Sequence, residues 1–233
     1  MHLKNIPEGK DVMGRLDKFK DLLPRTLSSC VLLAIGYFLF SGSALISLGI
    51  LSLLSVLCFY EFFTLARKIS EHKIFKALFF FYICSGIAAL YMFFLSGSNI
   101  LLWVGGALII TIISDVSAYF TGRIFGGIKP FPSISPGKTL SGYLGGLIFG
   151  TAAGIYWFFY LHAISIAPLV MVISIVFSSF LGQGGDLSES HLKRLAGQKD
   201  SGFLLPGHGG FLDRFDAFFA AVIVMALCFC VAG

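Results

Sequence analysis

Charged side chains are scarce in this sequence, where Asp, Glu, Lys and Arg together make up 12% of 233 residues. Soluble globular domains use about 25%, and the mean hydropathy here is +0.89. The deficit excludes a soluble fold and indicates an integral membrane protein. Cysteine motifs are missing too: the five cysteines all lie in apolar runs, without a CxxC or Cys/His pattern. We therefore expect them to be small apolar fillers.

The apolar runs predict an all-α polytopic membrane protein. About 20 helical residues cross a hydrocarbon core of roughly 30 Å, and seven runs reach or approach that length. The first two form one tract, 26–66, whose single charged side chain is Glu61. A further short or re-entrant segment near 200–212 is also compatible with the sequence. The seven predicted transmembrane helices are 26–42, 44–65, 74–96, 99–120, 140–162, 167–184 and 215–232.

The basic residues predict how these helices are oriented. If the N-terminus is cytoplasmic, all 17 lysines and arginines lie on the cytoplasmic side, counting Lys76 at the start of the third helix. Positive charge collects on that side of membrane proteins, so we expect the N-terminus inside and the C-terminus outside. Topology thus accounts for the net charge of +5, and no nucleic-acid partner is expected. The cytoplasmic segments are 1–25, 66–73, 121–139 and 185–214.

Composition divides the chain into two parts. Residues 1–25 mix basic and acidic side chains, and we expect a cytosolic amphipathic lead-in on the membrane surface. Residues 26–233 show no internal repeat or low-complexity linker, and we expect a single integral membrane domain there. Its glycine-rich helices permit close packing within the lipid bilayer, or a homodimer.

Asp115 is an ionisable residue inside the fourth predicted helix. Placing such a group in hydrocarbon costs about 2.5–3.5 kcal/mol, so we expect it to face the bundle interior or a polar cavity. Its position favours the lining of a polar site. Two structural interpretations stay open: an ion pair with Arg123, two helical turns further on, and a capping role at a ragged helix end.

The cytoplasmic segment that follows, 122–146, is rich in proline and glycine. Its PGKT sequence at 136–139 does not fit a P-loop, because Pro132 occupies the first glycine position and no strand precedes it. Ser135, Lys138 and the adjacent helix N-terminus together suit a phosphate. A plain connecting loop is the alternative interpretation.

The stretch 186–216 gathers nine charged side chains, close to a third of those in the chain. If its first part is helical, a carboxylate, a hydroxyl and two cations share one face. An ordinary solvated helix pair between Glu189 and Lys193 is the simpler alternative. The residues spaced along that face are Asp186, Glu189, Ser190, Lys193 and Arg194.

Asp213 and Asp216 lie three residues apart, on one face at the start of the last predicted helix. One aspartate there would suffice as a helix cap. Two aspartates there, close to Asp186, indicate a site for a divalent cation. Oxygen ligands without a Cys or His cluster favour Mg²⁺. The residues alone thus predict a Mg²⁺-dependent intramembrane enzyme that acts on a phosphorylated or nucleotide substrate at the cytoplasmic boundary.

Three segments here resemble the signature of the phosphatidate cytidylyltransferases, or CDP-diacylglycerol synthases: SHLKR at 190–194, KDSG at 199–202 and PGHGGFLDRFD at 206–216. DVSAYFTGR at 115–123 and SPGKT at 135–139 are also similar to segments of that family. The resemblance implies that CTP and phosphatidic acid give CDP-diacylglycerol and pyrophosphate, with one or two Mg²⁺ ions, in phospholipid biosynthesis.

The resemblance also implies residue roles. Asp186 and Asp213 would be the leading metal ligands with Asp216 beside them, and Ser190 would lie at the same catalytic centre. We interpret His208 as a loop residue between glycines, with proton donation to the leaving group as the alternative. The facing wall would consist of Asp115, Arg123, Ser135 and Lys138. Contacts to the nucleotide are expected from Lys193, Arg194, Lys199, Asp200, His208, Gly209, Gly210 and Arg214.

Two rival functions stay open. One is a related CTP-using lipid nucleotidyltransferase or lipid kinase with another membrane lipid as substrate. The other is a transporter with a polar intramembrane pathway, although no paired repeat is found. The inner membrane of a bacterium is the expected location, since no organelle-targeting presequence is evident.

Overall fold

The chain folds into a bundle of helices in a computed structural model. Within the described residues every element is helical, apart from an isolated antiparallel bridge between Leu205 and Gly209. The all-α prediction is therefore confirmed. The predicted lead-in, 1–25, lies outside the described part of the chain. The structure describes residues 26–41, 43–162, 168–205 and 209–232.

Seven helices make up the described bundle. Six of them have 20–28 residues in their apolar stretch and are long enough to cross a membrane. The first is shorter and measures about 24 Å, somewhat less than a hydrocarbon core. The helices are α1 (Thr26–Ser41), α2 (Ala44–Lys68), α3 (Lys73–Leu95), α4 (Ile100–Phe125), α5 (Leu140–Ile155, extended by a π-helix, Tyr156–Leu161), α6 (Pro168–Leu195) and α7 (Leu212–Ala232).

Helix α7 lies at the centre of the bundle. It packs against α2, α3, α4 and α6, and side chains along it such as Phe219, Val222 and Met225 are almost completely buried. Burial removes this apolar area from the surroundings and lets the side chains interdigitate. The outer helices expose large apolar side chains, as expected for surfaces that contact lipid.

Three helices extend past the predicted membrane spans at the end of the bundle that is predicted to be cytoplasmic. Helix α4 ends at Phe125, α6 ends at Leu195, and α7 begins at Leu212. Residues 186–194 are therefore helical, which confirms the shared face. Hydropathy predicts only where the apolar residues end. A helix continues further when one of its faces still packs against the bundle, and on α6 the buried side chain of Leu192 packs in this way. The described residues around 200–212 contain no additional helix before α7.

The predicted orientation has a direct test in a variant without native cysteines. A Gly233→Cys probe should react with an impermeant maleimide added outside spheroplasts, because the C-terminus is predicted to be external. A Glu71→Cys probe, in a predicted cytoplasmic segment, should react only after permeabilisation. The reverse pattern would overturn the span count.

Candidate active site

A cavity of about 540 Å³ opens where α4 and α6 end and α5 begins. Helices α4, α5 and α6 and the segment 126–139 form its wall. The wall carries acidic and basic side chains together, so the cavity suits a charged ligand that also has hydrogen-bond acceptors. The predicted site residues that line it are Asp115, Arg123, Ser135, Lys138 and Asp186.

Asp186 pairs with Lys138 across the cavity, so α6 is joined to the segment before α5. Ser190, one turn along α6, donates its hydroxyl to Asp186 Oδ1 at 3.4 Å. The two charged side chains are each 29% exposed, and ion pairs with access to solvent contribute only about 0–1 kcal/mol. An incoming phosphate or cation can therefore exchange for either partner.

Asp115 is exposed on the cavity wall, in a helix whose neighbouring Ser114 is buried. Arg123 Nη1 donates to the Tyr119 hydroxyl at 2.7 Å. Among the ion pairs of the described residues there is none between Asp115 and Arg123. The geometry thus favours the interpretation in which Asp115 lines a polar site over the structural pair.

Lys193 stands between two carboxylates beside the cavity. Its Nζ lies 2.6 Å from Glu189 Oε2 and 2.6 Å from Asp213 Oδ1. Glu189 has no exposed side-chain area and no hydrogen bond of good geometry, so its short contact with Lys193 is electrostatic. The alternative interpretation, an ordinary solvated pair of Glu189 with Lys193, does not hold, because the pair is the buried centre of a three-residue cluster that joins α6 to α7.

The three predicted metal ligands do not converge on one point. Asp186 reaches the cavity, whereas the Asp213 side chain is only 10% exposed and Asp216 is buried. Among the described residues, no three His, Cys, Asp or Glu side chains lie close enough to hold one ion. The donors are hard oxygens of the kind that Mg²⁺ prefers, but Lys138 and Lys193 occupy the cation positions at Asp186 and Asp213.

Several predicted nucleotide contacts have protein partners in this structure. Arg194 donates to the carbonyls of Ile134 and Gln198, at 3.1 and 3.2 Å, and ties the segment 126–139 to α6. The Gly210 N–H points to Asp213 rather than into open space. Lys199, Asp200 and Arg214 are exposed. His208 lies outside the described residues.

Two residues that the sequence analysis did not assign hold the site together. Glu61, on α2, accepts hydrogen bonds from the segment before α7. The Tyr82 hydroxyl, on α3, donates to the backbone carbonyl of Asp216. Glu61 carried one usable signal, because it is the single charge in a long apolar tract.

Gly185 permits the close approach of α6 to α7 at the site. A Cβ there would lie 2.5 Å from the Asp216 carbonyl oxygen and 2.5 Å from the Tyr82 hydroxyl, whereas a Cβ at Gly184 would meet nothing within 4 Å. We expect Gly185→Ala to lower the free energy of unfolding by about 1–3 kcal/mol through overpacking. Gly184→Ala is the matched control and should be neutral or stabilising by up to about 1 kcal/mol. Equal unfolding midpoints in detergent would contradict this prediction.

The bundle and its charged end define a polytopic membrane protein with a polar site where the helices meet the aqueous boundary. Comparison with known sequences agrees with this class and narrows it. The chain belongs to the cytidylyltransferase family, whose sequence model matches residues 29–231.

Proteins named phosphatidate cytidylyltransferase are among its relatives. That of Staphylococcus haemolyticus is 43% identical over 133 residues, which cover 57% of this chain and 50% of the relative. That of Staphylococcus saprophyticus is 45% identical over 112 residues, 48% of this chain and 43% of the relative. The chain spans about half the length of the curated relatives that it matches.

Proposed function

We propose that this protein is a phosphatidate cytidylyltransferase, which converts CTP and phosphatidic acid into CDP-diacylglycerol and pyrophosphate. The chain belongs to the cytidylyltransferase family, and one structural observation supports this particular activity. The cavity with Asp186 and Lys138 lies beside the buried Glu189–Lys193–Asp213 cluster, at the end of a membrane bundle. Such a site is accessible to a nucleotide from water and to a lipid from the bilayer.

The reaction suits these side chains. An oxygen of the lipid phosphate attacks the α-phosphorus of CTP, and the bond to pyrophosphate breaks. A phosphate monoester is largely ionised at neutral pH, so the attacking oxygen needs no strong general base. Catalysis is then chiefly in-line positioning and neutralisation of negative charge. Among the cavity residues, Arg123 and Lys138 supply positive charge, and we assign them to the lipid phosphate.

The nucleotide is assigned to the other side of the site. The segment between α6 and α7 carries Lys199, and Arg214 lies in the first turn of α7; both side chains are exposed. Lys193 is shared between Glu189 and Asp213 and adds a positive charge beneath this segment. Cationic side chains around a polyphosphate fit this assignment.

Mg²⁺ dependence is part of the proposal. Asp186, which faces the cavity, would hold the ion together with the substrate phosphates. Asp213 and Asp216, the other ligands predicted from the sequence, form no three-carboxylate group with it among the described residues. When bound, Mg²⁺ would neutralise charge on the phosphates. The Asp186–Lys138 pair is more exposed than the Asp213–Lys193 pair. We therefore expect an ion to enter at Asp186. The inner membrane of a bacterium is the proposed location, and a homodimer is a further proposal.

Purified protein in detergent, supplied with labelled CTP, phosphatidic acid and Mg²⁺, tests the function. We expect labelled CDP-diacylglycerol and pyrophosphate, and no nucleotide transfer when diacylglycerol replaces phosphatidic acid. Product from another phospholipid alone would favour a related nucleotidyltransferase. Phosphorylation of diacylglycerol would favour a lipid kinase. No CDP-diacylglycerol under any metal condition would overturn the proposal.

A further inference from the structure

The segment that leads into α7 is held by a carboxylate from a distant helix. Glu61 lies on α2 and is 1% exposed. Its Oε1 accepts a hydrogen bond from the Phe211 N–H at 3.0 Å. Its Oε2 accepts one from the Leu212 N–H at 2.8 Å and one from the Ser201 hydroxyl at 3.0 Å. These donors all belong to the segment 199–212, and none belongs to α2 itself.

The position of these donors explains why a buried charge is tolerated. The first N–H groups of a helix have no partner within the helix, and they favour negative charge. Phe211 directly precedes α7 and Leu212 begins it, and Phe211 has no side-chain acceptor of its own. Glu61 therefore serves as the cap of α7, although it comes from another helix. An acceptor there replaces the hydration that buried N–H groups lose.

Glu61 and Asp213 hold the same segment at the same two places. The Ser201 N–H donates to Asp213 and the Ser201 hydroxyl to Glu61. The Gly210 N–H donates to Asp213, and the next N–H along the chain, of Phe211, donates to Glu61. Asp213 also pairs with Lys193. The two ends of the segment are therefore clamped between two carboxylates, and one of these belongs to the proposed catalytic centre.

Close packing specifies the length of the Glu61 side chain. A Cβ on Gly202 would lie 2.5 Å from Glu61 Oε1, and a Cβ on Gly210 would lie 2.4 Å from Oε2. The backbone thus approaches the carboxylate from two sides and leaves it no room to move. An aspartate would be too short to reach, and a glutamine would place its NH₂ group against the N–H of either Phe211 or Leu212, whichever way the amide is turned.

We propose that Glu61 is a positioning residue that holds residues 199–205 and 209–212, the described parts of this segment, in the shape that binds the nucleotide. The inference rests on the proposed function for the nature of that ligand. The clamp itself does not depend on the proposed function, because it consists of hydrogen bonds seen in the structure. Glu61 and its hydrogen-bond partners Ser201, Phe211 and Leu212 are not among the residues that line the 540 Å³ cavity, so its loss should affect the two substrates unequally.

Glu61→Gln tests both parts of the inference in the full-length protein. We expect KM for CTP to rise about 10- to 100-fold, since hydrogen bonds to a buried charge are lost, while KM for phosphatidic acid stays within about twofold. Hydrogen–deuterium exchange should accelerate in peptides that contain Ser201 and residues 210–212, whether or not turnover is measured. Ser201→Ala, which removes one of the three bonds, should give a smaller change in the same direction.

Ser47→Ala is the matched control. Ser47 is a buried residue at the opposite end of α2, and its hydroxyl donates to the Leu39 carbonyl at 3.1 Å. Its loss removes one partly buried hydrogen bond of α2, to a carbonyl of α1, but it should leave both KM values and the exchange of the segment unchanged. This control separates general loosening of α2 from the clamp.

The outcomes decide the inference and the proposed function separately. If wild-type protein makes CDP-diacylglycerol and Glu61→Gln has wild-type KM for CTP, or shifts both KM values alike, the positioning role is overturned. If wild-type protein does not turn over CTP, the proposed function fails and hydrogen exchange alone decides the clamp. Unchanged exchange in Glu61→Gln overturns the clamp in either case.

Discussion

Replacing Lys193 with methionine is expected to lower the free energy of unfolding by about 3–5 kcal/mol, the typical effect of removing one partner from a buried ion pair. Lys193 lies 2.6 Å from carboxylate oxygens of both Glu189 and Asp213, and its side chain is 13% exposed. Without the ammonium group, two neighbouring carboxylates face each other out of water. The measurement is chemical or thermal unfolding in detergent, followed by circular dichroism.

Two comparisons show whether the charge is responsible. Lys199→Met removes the same kind of group from an exposed position and should change stability by less than about 0.5 kcal/mol. The double variant Lys193→Met/Glu189→Gln should recover part of the loss, because Asp213 keeps its bonds from the Ser201 and Gly210 N–H groups. A single variant as stable as wild type would mean that Lys193 does not neutralise the cluster.

Asp213→Asn is expected to reduce turnover by a factor on the order of 10²–10³, the size of effect that follows when one contribution to transition-state stabilisation is lost. Because the carboxylate is itself anionic, it would act through Lys193, whose ammonium group it positions. The protein should still insert and fold, because an asparagine oxygen can accept from the Gly210 N–H that Asp213 binds at 2.8 Å. Initial rates of CDP-diacylglycerol formation at saturating substrate measure the change. Size-exclusion chromatography and circular dichroism check that the fold is retained.

Glu71→Gln is the control for this variant. Glu71 is an exposed acidic residue between α2 and α3, away from the cavity and the cluster, so its amide should leave the rate unchanged. If Asp213→Asn also turns over at the wild-type rate, Asp213 only holds the segment before α7 in place and has no part in catalysis.

Much of the helical framework was predictable because membrane insertion depends on local composition. An apolar run of about 20 residues must satisfy its backbone internally in lipid, and a helix does so without any partner segment. The spans of α2, α3 and α5 follow from this rule. The shared face of Asp186, Ser190 and Lys193 also follows, since spacing of three and four residues is a property of one helix.

The partners of these side chains were not predictable in the same way. Glu61 lies 140 residues before Ser201 in the chain, and Lys193 lies 20 residues before Asp213. Nothing in the spacing of either pair indicates a contact, because helix crossing decides which faces meet. From the sequence, Arg194 and Gly210 are expected to face a ligand, yet Arg194 donates to backbone carbonyls and the Gly210 N–H donates to Asp213.

The sequence by itself determined that this chain is an all-α membrane protein of the cytidylyltransferase type, with its charge gathered at one end of the helices. Those features depend on hydropathy and on residue order, which are local. Only the tertiary structure decided that Asp186 faces a cavity while Asp213 and Asp216 are largely buried, and that Glu61 caps α7. Burial and ion pairing depend on distances between separate helices, and packing alone sets those distances.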